Sequence, residues 1–290
     1  MARERRTILV TGATGRHGGA VAHHLLGKGF VLRAMTRNPD GDAARRLRGL
    51  DIDVVRGDFD DPASLRSALE GVWGVFAVQN TWEAGVRREE EQGKRVAEIA
   101  REVGVEHYVY SSVGSADRAT GIPHFDNKWR IEQTVRELDF ASHVILRPVF
   151  LMENLVSPAF LHGHALVSTL QPTTQLQMIG VDDIGKFGAL AFVENERMNR
   201  LEIDLAADAV SLPRAAEVLG NAMDKKIEYR RIPLAEVRQH SEETAKMLEW
   251  FDEVGYDVDV KALERSHGID MTSLETWAQR TFGENRRVPL

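Results

Sequence analysis

Cysteine is absent from this 290-residue chain, which excludes disulfides, thiolate zinc sites and cysteine nucleophiles and fits a reducing compartment. No apolar run is long enough to span a bilayer, and the charged start leads straight into a strand without a signal-like segment. A cytoplasmic protein with no membrane partner is therefore expected. Excess positive charge is also missing: the formal net charge is −7, so no direct contact with nucleic acid is expected. The basic clusters Arg3-Glu4-Arg5-Arg6 and Arg45-Arg46-Leu47-Arg48 are short and read as solvated faces. Repeats and low-complexity segments are lacking too. What remains is ordinary globular material, 43% hydrophobic and 28% charged, enough for one large domain or two small ones.

The stretch from Thr7 to Leu26 sets the frame. The apolar run Thr7-Ile8-Leu9-Val10 breaks into glycines at Gly12, Gly15 and Gly18, and apolar positions then recur at helical spacing through Val21, Leu25 and Leu26. This predicts strand, tight turn and helix, the context in which a dinucleotide pyrophosphate rests on the positive end of a helix. One glycine permits the sharp turn, one lets backbone N–H groups approach phosphate, and one lets the helix pack on the strand. Thr14, Arg16 and His17 share the turn and join the candidate cofactor-binding residues, with Arg16 a second cation near the phosphates. The Gly-x-x-Gly-x-x-Gly spacing resembles that of the extended and atypical short-chain dehydrogenases/reductases.

Further strands are predicted over 30–36, 51–56, 72–78, 105–112 and 142–148, alternating with helices that include a long charged one over 84–103. The Arg87-to-Glu91 run reads as its solvated face. Alternation implies right-handed crossovers, a doubly wound parallel sheet and a site at the carboxyl ends of its strands. There, Arg37 is placed to pair with a ribose 2′-phosphate, which favours NADP over NAD. Asp58 is placed to accept from the adenine amino group, with Phe59 against the ring, while Asp61-Pro62 reads as a helix cap. Gln79, Asn80 and Thr81 end the fourth strand on the same side, and Ser111 and Ser112 end the fifth.

Short-chain dehydrogenases pair a tyrosine with a lysine four residues on, one helical turn away, where the lysine cation lowers the tyrosine pKa. The four tyrosines here are Tyr108, Tyr110, Tyr229 and Tyr256, and none is followed by lysine at that spacing. His124 and Lys128 occupy the place instead. Lys128 retains the means to bind the nicotinamide ribose; His124 is an acid/base candidate or a packing residue. His162 and His164 lack further metal-binding partners nearby, so no metal site is expected.

Gly12-Ala13-Thr14-Gly15 with Gly18-Gly19, Thr36-Arg37-Asn38-Pro39, Gly57-Asp58 with Asp60-Asp61, His124-Phe125-Asp126 with Lys128, and Glu153-Asn154-Leu155 together resemble the NmrA-like family. The resemblance runs in order from the first strand to about Leu155 and continues more weakly to the end. It implies an atypical short-chain dehydrogenase relative that binds NADP(H). Its role would be redox sensor, regulator or weak oxidoreductase, or alternatively NADPH-dependent reductase of quinones or small carbonyl compounds. It also implies that the 151–154 segment, with Met152 and Asn154, lines the cofactor. Asp40 and Gly41 depart from relatives that carry more basic residues there. The expected architecture is an α/β Rossmann domain over 1–155, completed by about 178–205. A smaller C-terminal α/β subdomain over 156–177 and 206–290 is expected to meet a small-molecule substrate or a regulatory protein partner, in a monomer or homodimer.

Overall fold

The computed structural model describes residues 5–283, and these divide into two compact units. The first comprises the described parts of Met1–Ala116, His124–Arg147 and Ile184–Ile203. The second comprises those of Asp117–Pro123, Pro148–Asp183 and Asp204–Leu290. Arg3 and Glu4 of the first basic cluster lie outside the described residues. No described helix is long and apolar enough to cross a membrane.

The strands are β1 (Thr7–Val10), β2 (Val31–Thr36), β3 (Asp53–Arg56), β4 (Gly74–Ala77), β5 (His107–Ser111), β6 (Ser142–Pro148), β7 (Phe150–Leu151), β8 (Leu161–His162), β9 (Ala165–Ser168), β10 (Leu176–Ile179), β11 (Glu202–Leu205), β12 (Asp208–Val210) and β13 (Glu228–Arg231). The helices are α1 (Arg16–Leu25), α2 (Asp42–Arg48), α3 (Pro62–Leu69), α4 (Thr81–Ala84), α5 (Val86–Glu102), α6 (Pro123–Glu137), α7 (Val181–Val193), α8 (Asn195–Met198), α9 (Leu212–Met223), α10 (Leu234–His240), α11 (Glu242–Glu253), α12 (Val260–His267) and α13 (Leu274–Phe282).

The first unit is built on a seven-stranded sheet of order β11-β6-β5-β4-β1-β2-β3, with β1 to β6 paired in parallel. The reversal of order beside β1 is the switch point of a doubly wound fold, where ligands bind at the carboxyl ends. Strand residues alternate between faces. Leu9, Val75, Ala77, Tyr108, Tyr110 and Ile145 pack with Leu65 of α3, Val96 of α5 and Ile131 of α6, all at most 1% exposed. On α7, a Cβ at Gly188 would meet Val21 of α1 at 2.5 Å, so those two helices approach closely. A buried charge network fastens α6 to the sheet edge: Arg147 of β6 donates two hydrogen bonds, at 3.0 and 2.7 Å, to the carboxylate of Glu132. Its Nη2 also reaches Glu202 at 2.6 Å. Bidentate pairing of this kind fixes orientation as well as distance, and α6 is the helix that carries His124 and Lys128.

The second unit has two three-stranded sheets, β12-β10-β7 and β13-β9-β8. Its terminal helix is tied down where Glu153 Oε1 accepts from Trp277 Nε1 at 3.0 Å and from the Val181 N–H at 3.1 Å. Ser273 caps α13 by accepting from the Thr276 N–H.

Some elements differ from the sequence reading. The helix expected over 84–103 is present as α5, and Gly85 at φ +79, a left-handed conformation, separates it from the short α4, which was not expected. Ser241, whose hydroxyl accepts from the Thr244 N–H and caps α11, separates that helix from α10. The Arg45-to-Arg48 cluster lies on α2 and buries Leu47 between exposed arginines.

Candidate cofactor and active site

The glycine turn has the geometry its spacing requires. Gly12 sits at φ +60, and a Cβ at Gly18 would lie 2.2 Å from the Thr11 carbonyl oxygen, so a side chain there collides with backbone. Thr11 Oγ1 accepts from the Val78 N–H at 2.9 Å and ties the turn to the end of β4. Gly15 precedes α1 with no side-chain cap, which leaves N–H groups of the first turn for a ligand. Thr14 and Arg16 are exposed beside it, and His17 is partly buried. Burial, then the cations Lys128 and Arg16, push the His17 imidazole down to about 4. It is therefore neutral near pH 7.

At the β2–β3 end, Arg37, Arg56, Gly57, Asp58, Asp61 and Ser64 line a recess of about 130 Å³. Sequence reasoning found Arg37 and missed Arg56, which the parallel register sets opposite Thr36. Arg37 is paired with Glu83 of α4, both side chains more than half exposed at 64% and 53%. Asp61 caps α3 through the N–H groups of Ala63 and Ser64. Asp58 Oδ1 accepts from the Asp60 N–H at 3.0 Å, which orients that carboxylate in its loop. Phe59 is partly buried against the core shared with α3 and α5.

At the other end the charges are buried. Lys128 Nζ lies 2.8 Å from Glu89 Oε1, with side-chain exposures of 11% and 0%. Glu89 Oε2 accepts from Asn127 Nδ2 at 2.9 Å and from Thr81 Oγ1. Burial pushes the Glu89 carboxyl up, but Lys128 and the hydrogen bonds from Lys128, Thr81 and Asn127 outweigh it and hold the carboxyl below the usual range. Glu89 corrects the sequence reading of a solvated Arg87-to-Glu91 face. It falls on the inward stripe with Gln92, Gly93 and Val96, at i+3, i+4 and i+7, a signal the sequence contained.

Of the three residues after β4, Asn80 caps α4 by accepting from the Trp82 N–H at 3.1 Å, and Thr81 serves Glu89. Gln79 is only 5% exposed, yet neither its amide oxygen nor its nitrogen has a hydrogen-bond partner among the described residues. Ser112 Oγ is buried in the same state. Such groups are costly unless a ligand satisfies them, and both follow strands at the carboxyl edge. Ser111 Oγ and His17 Nδ1 are 3.5 Å apart, which joins the end of β5 to the glycine turn. His124 is 7% exposed, its ring 5.3 Å from that of Trp82 and 4.9 Å from that of Phe125. Trp82 itself is 70% exposed. Tyr110 has its ring 5.7 Å from Lys128 Nζ, but burial, with Glu89 and Glu132, pushes its hydroxyl well above the ordinary range. It is no substitute for the missing catalytic tyrosine.

Met152 and Asn154 belong to the second unit, where Met152 is fully buried and the Asn154 carbonyl accepts from Ser157. No cluster of three or more metal-binding side chains occurs among the described residues.

Other proteins are similar to this chain. An NmrA-like family domain-containing protein of Dictyostelium discoideum is 25% identical over 268 residues, 86% of this chain and 88% of its own. An NADPH-dependent quinone oxidoreductase of Escherichia coli, solved with NADPH, superposes at TM-score 0.78 and 24% identity over 95% of this chain and 99% of its own. The negative transcriptional regulator NmrA, solved with NAD, superposes at TM-score 0.79 and 18% identity over 97% and 96%. At such identities the structures establish a shared fold. The NmrA-like family model matches residues 4–284, and the chain belongs to that family.

Proposed function

We propose that this chain binds NADP(H) along the carboxyl edge of its sheet and reduces an electron-poor acceptor of the quinone class. The observation that carries the reading is the buried, unsatisfied amide of Gln79, on the same edge as a turn that excludes any side chain at Gly18. These features fit a dinucleotide: a backbone cradle for its phosphates and polar groups awaiting a partner. Arg37, joined by Arg56, would hold the 2′-phosphate, Asp58 the adenine amino group, and Lys128 the hydroxyls of the nicotinamide ribose. NADPH, when bound, supplies hydride. By the family resemblance, Met152 and Asn154 remain candidate cofactor contacts.

His124 is the proposed proton donor. A quinone that accepts hydride becomes a hydroquinone anion, a weaker base than the alkoxide formed from an ordinary carbonyl, so it needs less help from an acid. Imidazole exchanges protons near neutrality and suits that lesser demand. A second reading, NADP(H)-dependent regulation of a protein partner, draws on the same histidine standing where dehydrogenases carry tyrosine.

Equilibrium titration with NADPH and NADH tests the cofactor assignment. NADPH is expected to bind at least about tenfold tighter, as a charge-paired phosphate requires, with the margin lost in Arg37→Ala. Equal affinity for both would overturn the role given to Arg37.

A further inference from the structure

Glu89 is a fully buried titratable group that the proposed reaction leaves unused. Its carboxylate is held from two elements besides its own helix: Thr81 of α4, and Asn127 and Lys128 of α6. Asn127 Nδ2 is itself fixed by the Val86 carbonyl at 2.8 Å, so the carboxylate has a rigid set of donors. An ammonium carries three N–H donors, and Glu89 is its only ion-pair partner among the described residues. The cation nonetheless acts beyond that pair, because it contributes to the depression of His17 at the glycine turn. A carboxylate in this place does two things. It makes burial of Lys128 tolerable, and it cancels a unit of charge in a low-dielectric part of the sheet edge.

Reduced nicotinamide is neutral and oxidised nicotinamide is a cation, so the charge balance around Lys128 discriminates between them. We infer that Glu89 is a positioning residue which neutralises Lys128 beside the nicotinamide and thereby sets the affinity for the oxidised cofactor relative to the reduced one. This rests on the proposal that Lys128 meets the nicotinamide ribose. With the pair intact, product NADP⁺ meets no net repulsion from the lysine. With the carboxylate removed, an uncompensated cation faces a cationic ring.

The test is a set of equilibrium dissociation constants for NADPH, NADP⁺ and 2′,5′-ADP, measured on the full chain. The last ligand has the adenosine end and no nicotinamide. In Glu89→Gln the ratio of the NADP⁺ constant to the NADPH constant is expected to rise about tenfold, the size of one unscreened charge nearby. Binding of 2′,5′-ADP stays within about twofold of wild type, because the adenosine end is untouched. In Lys128→Met/Glu89→Gln, which removes both charges, the ratio returns to within about twofold of wild type. Lys128→Met, which leaves the Glu89 carboxylate uncompensated, shifts the ratio the opposite way by about tenfold and serves where Glu89→Gln does not fold.

An unchanged ratio in Glu89→Gln, or in Lys128→Met, overturns the inference while leaving NADP(H) binding standing. Parallel loss of all three ligands marks a purely structural role and also overturns it. Failure of the wild-type chain to bind either NADPH or 2′,5′-ADP removes the cofactor reading, and this inference with it.

Discussion

The two ends of the sheet's carboxyl edge handle charge in opposite ways. At the β2–β3 end, Arg37 and Glu83 meet with more than half of each side chain in water. At the β5–α6 end, Glu89 is fully buried and Lys128 nearly so, and each depends on the other. Exposed pairs contribute about 0–1 kcal/mol, so Glu83 is an exchangeable partner that a phosphate can displace at little cost. Breaking a buried pair by removing one partner costs about 3–5 kcal/mol, so the Lys128 end is a permanent frame. With Arg37 holding the 2′-phosphate as proposed, cofactor preference can shift at the open end without disturbing the closed one.

The largest expected effect breaks the comparison through stability. Lys128→Met should lower the unfolding free energy by about 3–5 kcal/mol in denaturant titrations, whereas Arg37→Met changes it by less than about 1 kcal/mol. Equal losses would mean that the two ends do not differ.

Next comes the turn that serves both ends. Gly18→Ala forces a methyl group against the Thr11 carbonyl and should weaken NADPH binding by about a hundredfold, a cost of about 2.7 kcal/mol, within the usual range for strained overpacking. Calorimetric titration would measure it, and retained affinity would show that the turn does not cradle the cofactor.

Acid provides a smaller and graded perturbation. His107, at the amino end of β5, is fully buried, and burial pushes its imidazole down from 6.5 to about 4. The unfolded chain then binds more protons than the native one between those values. Stability is complete above about pH 6.5 and is lost as pH falls toward 4; roughly 2 kcal/mol disappears between pH 7 and pH 5. His107→Asn should flatten that slope. His17, shifted in the same direction but less buried by area, contributes less. Its titration by NMR should move upward in Lys128→Met, since one depressing cation is gone, whereas Arg37→Met should leave it in place.

The smallest effect sharpens the open end. Glu83→Gln frees Arg37 and should tighten NADPH binding by about threefold, with NADH unchanged. A matching gain for NADH would assign Glu83 to something other than the 2′-phosphate.

What the sequence disclosed follows the same division. The glycine turn, Arg37 and the Asp61 cap are short-range patterns, since strand, turn and helix signals lie within a few residues of one another. Lys128 was legible through its spacing to His124 on one helix face. Its partner was not, because Glu89 lies on another helix and resembles its neighbours in a run of charges. Only the inward stripe shared with Val96 marked it. Arg56 was missed for the same reason in a sheet: it reaches the recess beside Arg37 through parallel register, which joins residues far apart in the chain. The short α4 was not legible, because its four residues are too few for apolar periodicity to mark and the left-handed φ of Gly85 sets them apart from α5.

Hydride transfer is tested most directly by mixing the preformed NADPH complex with a small quinone and following nicotinamide absorbance in a single turnover. The account predicts stoichiometric loss of the reduced signal, slowed in His124→Ala at unchanged NADPH affinity. A reduced signal that persists while NADPH stays bound would contradict it.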